Sequence, residues 1–224
     1  MDIGTLTQQL RSQAELEKGR NTALGFFLSA TGSVNSVDMA GEDRLYVKYD
    51  FTYGSKWNII HGVDKGISQI GIKSEGGEIV WNFPIEILFK SVNAHGWPRL
   101  VISVFGIDAF GRDVARGYGS IHIPTTAGCY TKKVRLFRPV SSSYLQKIIS
   151  WLRGTQPEFY DSRFVAKSCD REMSRVESVG TVAIKMQVLT RGMKNEGYEG
   201  GTGLSAKEVI QVKKTLQENL IESK

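Results

Sequence analysis

The stretch RLVISVFGIDAFGRDVARGYGSIHIP, residues 99–124, decides the fold that this sequence predicts. In residues 100–105 both alternating sets of side chains are mostly apolar, which predicts a strand covered on both faces. The next part, 106–119, has four glycines among charged residues, and this composition is typical of a loop. Strand character returns at 121–123 and ends at Pro124. A buried strand that leads through a charged loop into a second strand indicates an antiparallel β-sandwich with functional end loops.

The rest of the chain fits the same all-β class of about eight strands. Alternating or apolar runs predict further strands at 23–31, 45–51, 67–70, 79–90, 132–137 and 179–190, and the polar stretch 32–41 predicts a turn region. The spacing of apolar residues predicts one short helix over 141–152. The domain prediction is therefore a polar, partly helical tail (1–22), the sandwich (23–190), a glycine-rich linker (191–203) and a C-terminal amphipathic helix (204–224).

Composition excludes few partners but gives no support to catalysis. The net charge of +6 favours acidic partners, yet basic residues alternate with acids and no aromatic-basic stripe indicates nucleic-acid binding. The three histidines have no second His or Cys at metal-ligand spacing, and phosphate-binding and nucleophile-elbow motifs are absent. We therefore expect no enzyme, no metal and no cofactor, with a lipid-modifying enzyme as a distant alternative. The start of the chain lacks a secretory h-region, which favours a cytoplasmic protein.

One inter-strand loop resembles the third calcium loop of the C2 membrane-binding domains, in which a strand ending in an aromatic residue leads into Asp-x-Asp. Here Gly106 occupies the place of the first aspartate, Asp108 matches the second and Asp113 roughly matches a later one. Calcium takes six to eight oxygen ligands, and one or two carboxylates beside Arg112 and Arg116 make a poor site. The simpler interpretation is that both aspartates cap turns or pair with those arginines.

Other candidate contacts are cations and tryptophans. Arg112, Arg116, Lys132 and Lys133 are candidates for contact with anionic lipid or an acidic partner, and a solvated charged loop explains them equally well. Tryptophan dominates many interface hot spots, and it also packs in cores. The candidate interface anchors are Trp57, Trp97 and Trp151. Core packing is the alternative interpretation for each of them.

Several stretches form a recognisable pattern: LYVKYDFTYGSKW (45–57), GISQI (66–70) and the long run 80–124. The pattern continues in LQKIISWLRGTQPEFYD (145–161), REMSRVESVG (171–180) and RGMKNEGYEGG (191–201). These stretches resemble the B-nine (B9) domain family, a divergent C2-like sandwich found in three paralogous proteins of the ciliary transition zone. The resemblance covers about residues 24–200 and leaves both tails outside.

The resemblance implies a C2-like fold and a non-enzymatic scaffold at the cilium base, in the transition zone and at the basal body. It implies that the protein associates with the two paralogous B9 proteins, with Meckel-syndrome complex members and with tectonic-type membrane proteins. Such a complex supports cilium assembly and the barrier to membrane protein entry. A calcium-independent module for anionic phospholipid is the alternative. The family tends to lose calcium ligands, in agreement with Gly106.

Overall fold

The computed structural model describes residues 25–108, 111–140, 165 and 175–198, and these residues form an all-β, antiparallel architecture. Its ten strands exceed the expected eight because short edge strands flank the main ones. In chain order they are β1 (Phe26–Met39), β2 (Arg44–Thr52), β3 (Trp57–Gly62), β4 (Lys65–Ile67), β5 (Gly71–Ile72), β6 (Ile79–Ser91), β7 (Arg99–Ile107), β8 (Asp113–His122), β9 (Gly128–Pro139) and β10 (Val176–Arg191).

The strands follow one path, β3-β6-β1-β10-β9-β8-β7-β2-β4, with β5 also paired to β2. The path curls so that β2 lies against β6, as shown by ring contacts of Tyr49 with Phe83 and of Phe51 with Phe89. Alternation along each strand sends one set of side chains into the space between the layers. We call the junction of β8 and β9 the seam, because one residue pair, Tyr118 with Phe137, joins these strands in the described part of the chain.

Strand β7 is covered on both faces, as its sequence predicts. Leu100, Ile102 and Val104 are fully buried in the main core between the layers. Val101, on the opposite face, belongs to a second buried cluster that includes Val165. Ser120 Oγ also donates a hydrogen bond to the Val165 carbonyl, at 3.3 Å. Val165 therefore packs on the outside of the β7–β8 layer.

The prediction of a turn region at 32–41 is wrong for most of that range. Strand β1 runs on to Met39 and pairs with both β6 and β10, with a bulge between Val34 and Ser36. Position 32 of this strand requires glycine because the backbone of the neighbouring strand β10 comes very close. A Cβ added there would lie 2.1 Å from the Lys185 carbonyl oxygen, a distance that admits only glycine.

Two further boundaries differ from the expectation, and several predictions lie outside the described residues. The loop predicted over 106–119 spans only 108–112, because β7 extends to Ile107 and β8 starts at Asp113. In the expected linker, a 3₁₀ turn at Met193–Glu196 packs on the sandwich, and Gly25 N–H donates to Glu196 Oε1 at 2.7 Å. The predicted helices at 141–152 and 204–224, and the tail 1–22, lie outside the described residues.

Candidate functional site

In the loop between β7 and β8, an aspartate and an arginine of the same loop pair with each other. Asp108 Oδ2 lies 2.8 Å from the Arg112 guanidinium, and Asp108 Oδ1 accepts the Arg112 backbone N–H at 2.9 Å. The Asp108 N–H donates to the Arg112 carbonyl oxygen, and Gly111, at φ +77°, donates to the Asp108 carbonyl. Asp108 therefore closes a turn and pairs with an arginine, while Asp113 is exposed at the start of β8. This arrangement stabilises the loop and leaves few oxygens for a cation.

Gly106 and Arg116 are strand residues, which corrects their assignment to the loop. Gly106 is buried in β7, where an added Cβ would lie 3.0 Å from Leu45 Cδ2 and 3.1 Å from Arg116 Nε. A carboxylate at position 106 would therefore meet Arg116 rather than a loop cation. Arg116 Nε lies 3.3 Å from Glu42 Oε1 in a mostly buried ion pair. Burial raises the pKa of the Glu42 carboxyl, and the charge of Arg116 opposes that shift.

Two of the candidate anchors are packed inside the protein. Trp57 is 2% exposed, and its indole N–H donates to the His95 carbonyl oxygen at 3.0 Å. Trp97 is half-buried and donates to the Ile123 carbonyl oxygen at 2.8 Å. The two rings lie 5.0 Å apart, and both contact Phe26. Their hydrogen bonds and ring contacts are used within the fold, which agrees with the core interpretation given beside the interface prediction. Trp151 lies outside the described residues.

Lys132 and Lys133 lie on β9 and are exposed. Two more exposed cations are their neighbours: Arg135 on the same strand and Lys185 on β10, which is in register with Thr131. Ion pairs in the described residues involve Asp50, Asp108, Glu42 and Glu177, and none of them uses these four cations. We call the set Lys132, Lys133, Arg135 and Lys185 the basic edge.

A second surface was missed by the sequence reasoning. Six aliphatic side chains in and beside β3–β6 are 48% to 72% exposed, and we call them the apolar side: Ile60, Val63, Ile67, Ile70, Ile72 and Val80. Two of them have assigned strand partners, since Ile67 is in register with Lys48 and Ile72 with Arg44. Exposed aliphatic residues that lie together mark interaction surfaces, and five of these six fall within residues 60–72. The recurrence of aliphatics among the glycines of 59–72 was the available indication.

The described residues show neither a metal cluster nor a membrane-spanning helix. In residues 25–108, 111–140, 165 and 175–198, no three His, Cys, Asp or Glu side chains form a group that could hold a metal ion. The same residues contain no helix with the length and hydropathy to cross a bilayer. Among the described residues, the polar contacts given above hold the fold together, whereas the aliphatic groups of the apolar side and the cations of the basic edge are exposed.

Comparison with known proteins gives three findings. A B9 domain-containing protein 1 from Xenopus laevis is 48% identical over 179 residues, covering 79% of this chain and 90% of that protein. A B9 domain-containing protein 2 from Bos taurus is 28% identical over 176 residues, covering 79% and 96%. Among solved structures, a C2 domain of plant extended synaptotagmin 1 aligns with a TM-score of 0.37 and 13% identity, covering 74% of this chain and 94% of that one.

A family model described as the ciliary basal body-associated B9 protein matches residues 28–189, which begin in β1 and end in β10. The matched range contains the basic edge and the apolar side. Its description names a place in the cell and no reaction. With the relative at nearly half identity, this match shows that the chain belongs to the B9 family of ciliary basal body-associated proteins.

Proposed function

We propose that this chain is a non-enzymatic scaffold subunit of the ciliary transition-zone complex. It acts by protein contacts at the cytoplasmic base of the cilium, where it supports cilium assembly and the barrier that controls entry of membrane proteins. Its partners are the two paralogous B9 proteins, Meckel-syndrome complex members and tectonic-type membrane proteins. Membership of the basal body-associated family and the similarity to B9 domain-containing proteins 1 and 2 support this role.

The observation that carries the proposal is the apolar side. Exposed aliphatic groups release water when a partner covers them, at about 25 cal/mol per Å² of apolar area buried. Ile72 is 72% exposed and Ile67 is 61% exposed; Ile67 lies on β4 at one end of the sheet path, and Ile72 lies on β5, which pairs with β2. Such a surface offers contacts for binding rather than for chemistry, whereas the charges of Asp108 and Arg112 pair with each other.

Affinity purification from ciliated cells tests the proposal. Tagged wild-type chain should recover B9 domain-containing protein 2, and the double variant Ile67→Asp/Ile72→Asp should recover about tenfold less or lower, because charges in a desolvated interface are costly. The matched control is Val92→Asp/Leu189→Asp, which places two charges at exposed aliphatic positions outside the apolar side. Equal recovery by all three proteins would contradict a role for the apolar side, and absence of the paralogue from the wild-type sample would contradict the scaffold.

The basic edge favours a second candidate, a calcium-independent peripheral module for anionic phospholipid. Lys132 and Lys133 are exposed and have no ion pair among the described residues. Each cation near an anionic leaflet contributes about 1 kcal/mol. Flotation with phosphatidylcholine vesicles, with and without phosphatidylserine, tests this candidate. Flotation that is independent of phosphatidylserine would exclude it.

A further inference from the structure

The edge of β9 that faces β8 is largely open. On its other side β9 pairs with β10 from Gly128 to Pro139. On the β8 side, the described residues give one pair, Tyr118 with Phe137, near the end of the strand. Successive backbone groups of an antiparallel strand point alternately to its two sides. About half of the N–H and C=O groups of residues 128–133 therefore point away from β10, toward an edge where the described chain supplies no strand.

Exposure along β9 agrees with this geometry. Thr131, Lys132 and Lys133 are consecutive and all exposed, although neighbouring residues of a strand lie on opposite faces. Lys132 belongs to the inner face of β9 because Val134, two residues further along the strand, is buried. Ile184, which pairs with Lys132 on β10, is only 1% exposed. Its exposure shows that the space between the layers is open at this point. The Lys132 ammonium lies 5.6 Å from the centre of the Tyr130 ring at this opening.

The charges on this edge decide which strand it accepts. Lys133, Arg135 and Lys185 lie on the outer face of β9 and β10, and Lys132 lies on the inner one. Pairing of β9 with β9 of a second copy would bring lysines next to lysines, and like charges on paired strands destabilise. Lysines at an open edge are a known protection against such self-association. A strand with adjacent acidic residues, one for each face, meets the opposite charge on both faces.

We propose that the open edge of β9 binds an extended acidic segment of a partner protein, which adds to the sheet as a further strand. The bound segment satisfies the free backbone groups of residues 128–133, and its acidic pair contacts Lys132 on one face and Lys133 on the other. This inference rests on the proposed scaffold function and gives it a specific surface. It is separate from the apolar side, which lies on β3–β6.

The test uses the full chain and a capped decapeptide of Thr, Val and Glu with two adjacent glutamates at its centre. Backbone amide NMR should show shifts and slowed hydrogen exchange centred on residues 128–133. Two control peptides separate the contributions. Replacement of Glu by Gln removes the charges, and N-methylation of four consecutive central peptide nitrogens keeps the charges but removes the donors on both edges of the strand. Both should bind about tenfold more weakly or worse.

The protein variant Lys132→Glu/Lys133→Glu should also bind the acidic peptide about tenfold more weakly or worse, with an unchanged melting temperature. Lys56→Glu/Lys194→Glu makes the same change of charge at exposed positions elsewhere and should bind like the wild type. The proposal is overturned if the N-methylated peptide binds as well as the parent, if the shifts lie outside β9, or if millimolar peptide causes none. Phosphatidylserine vesicles that shift the same amides while the peptide does not would assign the edge to a membrane instead.

Failure of this proposal is distinguishable from failure of the scaffold. If the wild type recovers the paralogue from cells but the acidic peptide does not reach β9, the scaffold stands and the open edge is not its docking surface. If the peptide binds β9 but no paralogue is recovered, strand addition stands and the transition-zone role is wrong.

Discussion

The sandwich is closed differently along its two long sides. On the apolar side, a buried side chain connects the layers: the Trp81 indole N–H donates to the Leu45 carbonyl oxygen at 2.9 Å. At the seam, the described strands share one residue pair. An internal hydrogen bond joins the layers on the apolar side, and the aliphatic groups there remain exposed to solvent. The second side keeps an open strand edge, guarded by lysines.

The largest expected effect follows from removal of the Trp81 side chain, whose indole joins the two layers. Trp81 is 4% exposed in the main core, so Trp81→Ala should lower the free energy of unfolding by about 3–5 kcal/mol through a cavity and a lost hydrogen bond. Chemical denaturation followed by circular dichroism measures the change.

A milder variant separates the two causes. Trp81→Phe keeps most of the apolar contact but leaves the Leu45 carbonyl without its indole donor, at a cost of about 1–3 kcal/mol. If both variants unfold like the wild type, the side-chain bridge is not what closes this side of the sandwich.

The seam should respond to a single added methyl group. A Cβ on Gly119 would lie 2.8 Å from Val134 Cγ1 and 3.0 Å from the Arg135 carbonyl oxygen, so Gly119→Ala should push β8 away from β9. We expect a loss of about 1–3 kcal/mol in unfolding free energy, and faster amide exchange in β9 than in β6. The control is Gly76→Ala, where the nearest atom is 3.7 Å away. Equal stability of the two alanine variants would show that the layers are not in close contact at the seam.

The sequence predicts those parts of the fold that depend on local alternation. It predicts β7 with both faces covered because apolar residues fill both of its alternating sets, and the structure confirms this. The extension of β1 beyond Thr31 was not predictable in this way. Gly32 is required by the Lys185 carbonyl, which lies far away in the chain, and an isolated glycine in a polar stretch otherwise indicates a turn.

The candidate site shows the same division between local and distant causes. Pairing of Asp108 with a nearby arginine follows from their separation in sequence, and the structure gives Arg112 as that partner. The partner of Arg116 is Glu42, from the β1–β2 turn, and no local pattern connects them. The apolar side was missed because exposed and buried aliphatic residues look alike in a sequence until the ends of the sheet are known.

The smallest expected effect is a pH-dependent change in stability at His122, the last residue of β8. Burial, and then the charge of Arg99, lower the pKa of His122 below its usual 6.5. The unfolded chain therefore binds the proton more readily, and folding stability is lost as the pH falls through 6.5 toward the folded pKa. Between about pH 7.5 and pH 5.5 the unfolding free energy of His122→Gln should change less than that of the wild type. Because the imidazole is largely exposed, this difference in unfolding free energy should be well below the loss expected for Gly119→Ala. An identical pH dependence in His122→Gln and wild type would mean that the C-terminal end of β8 does not disfavour a positive charge.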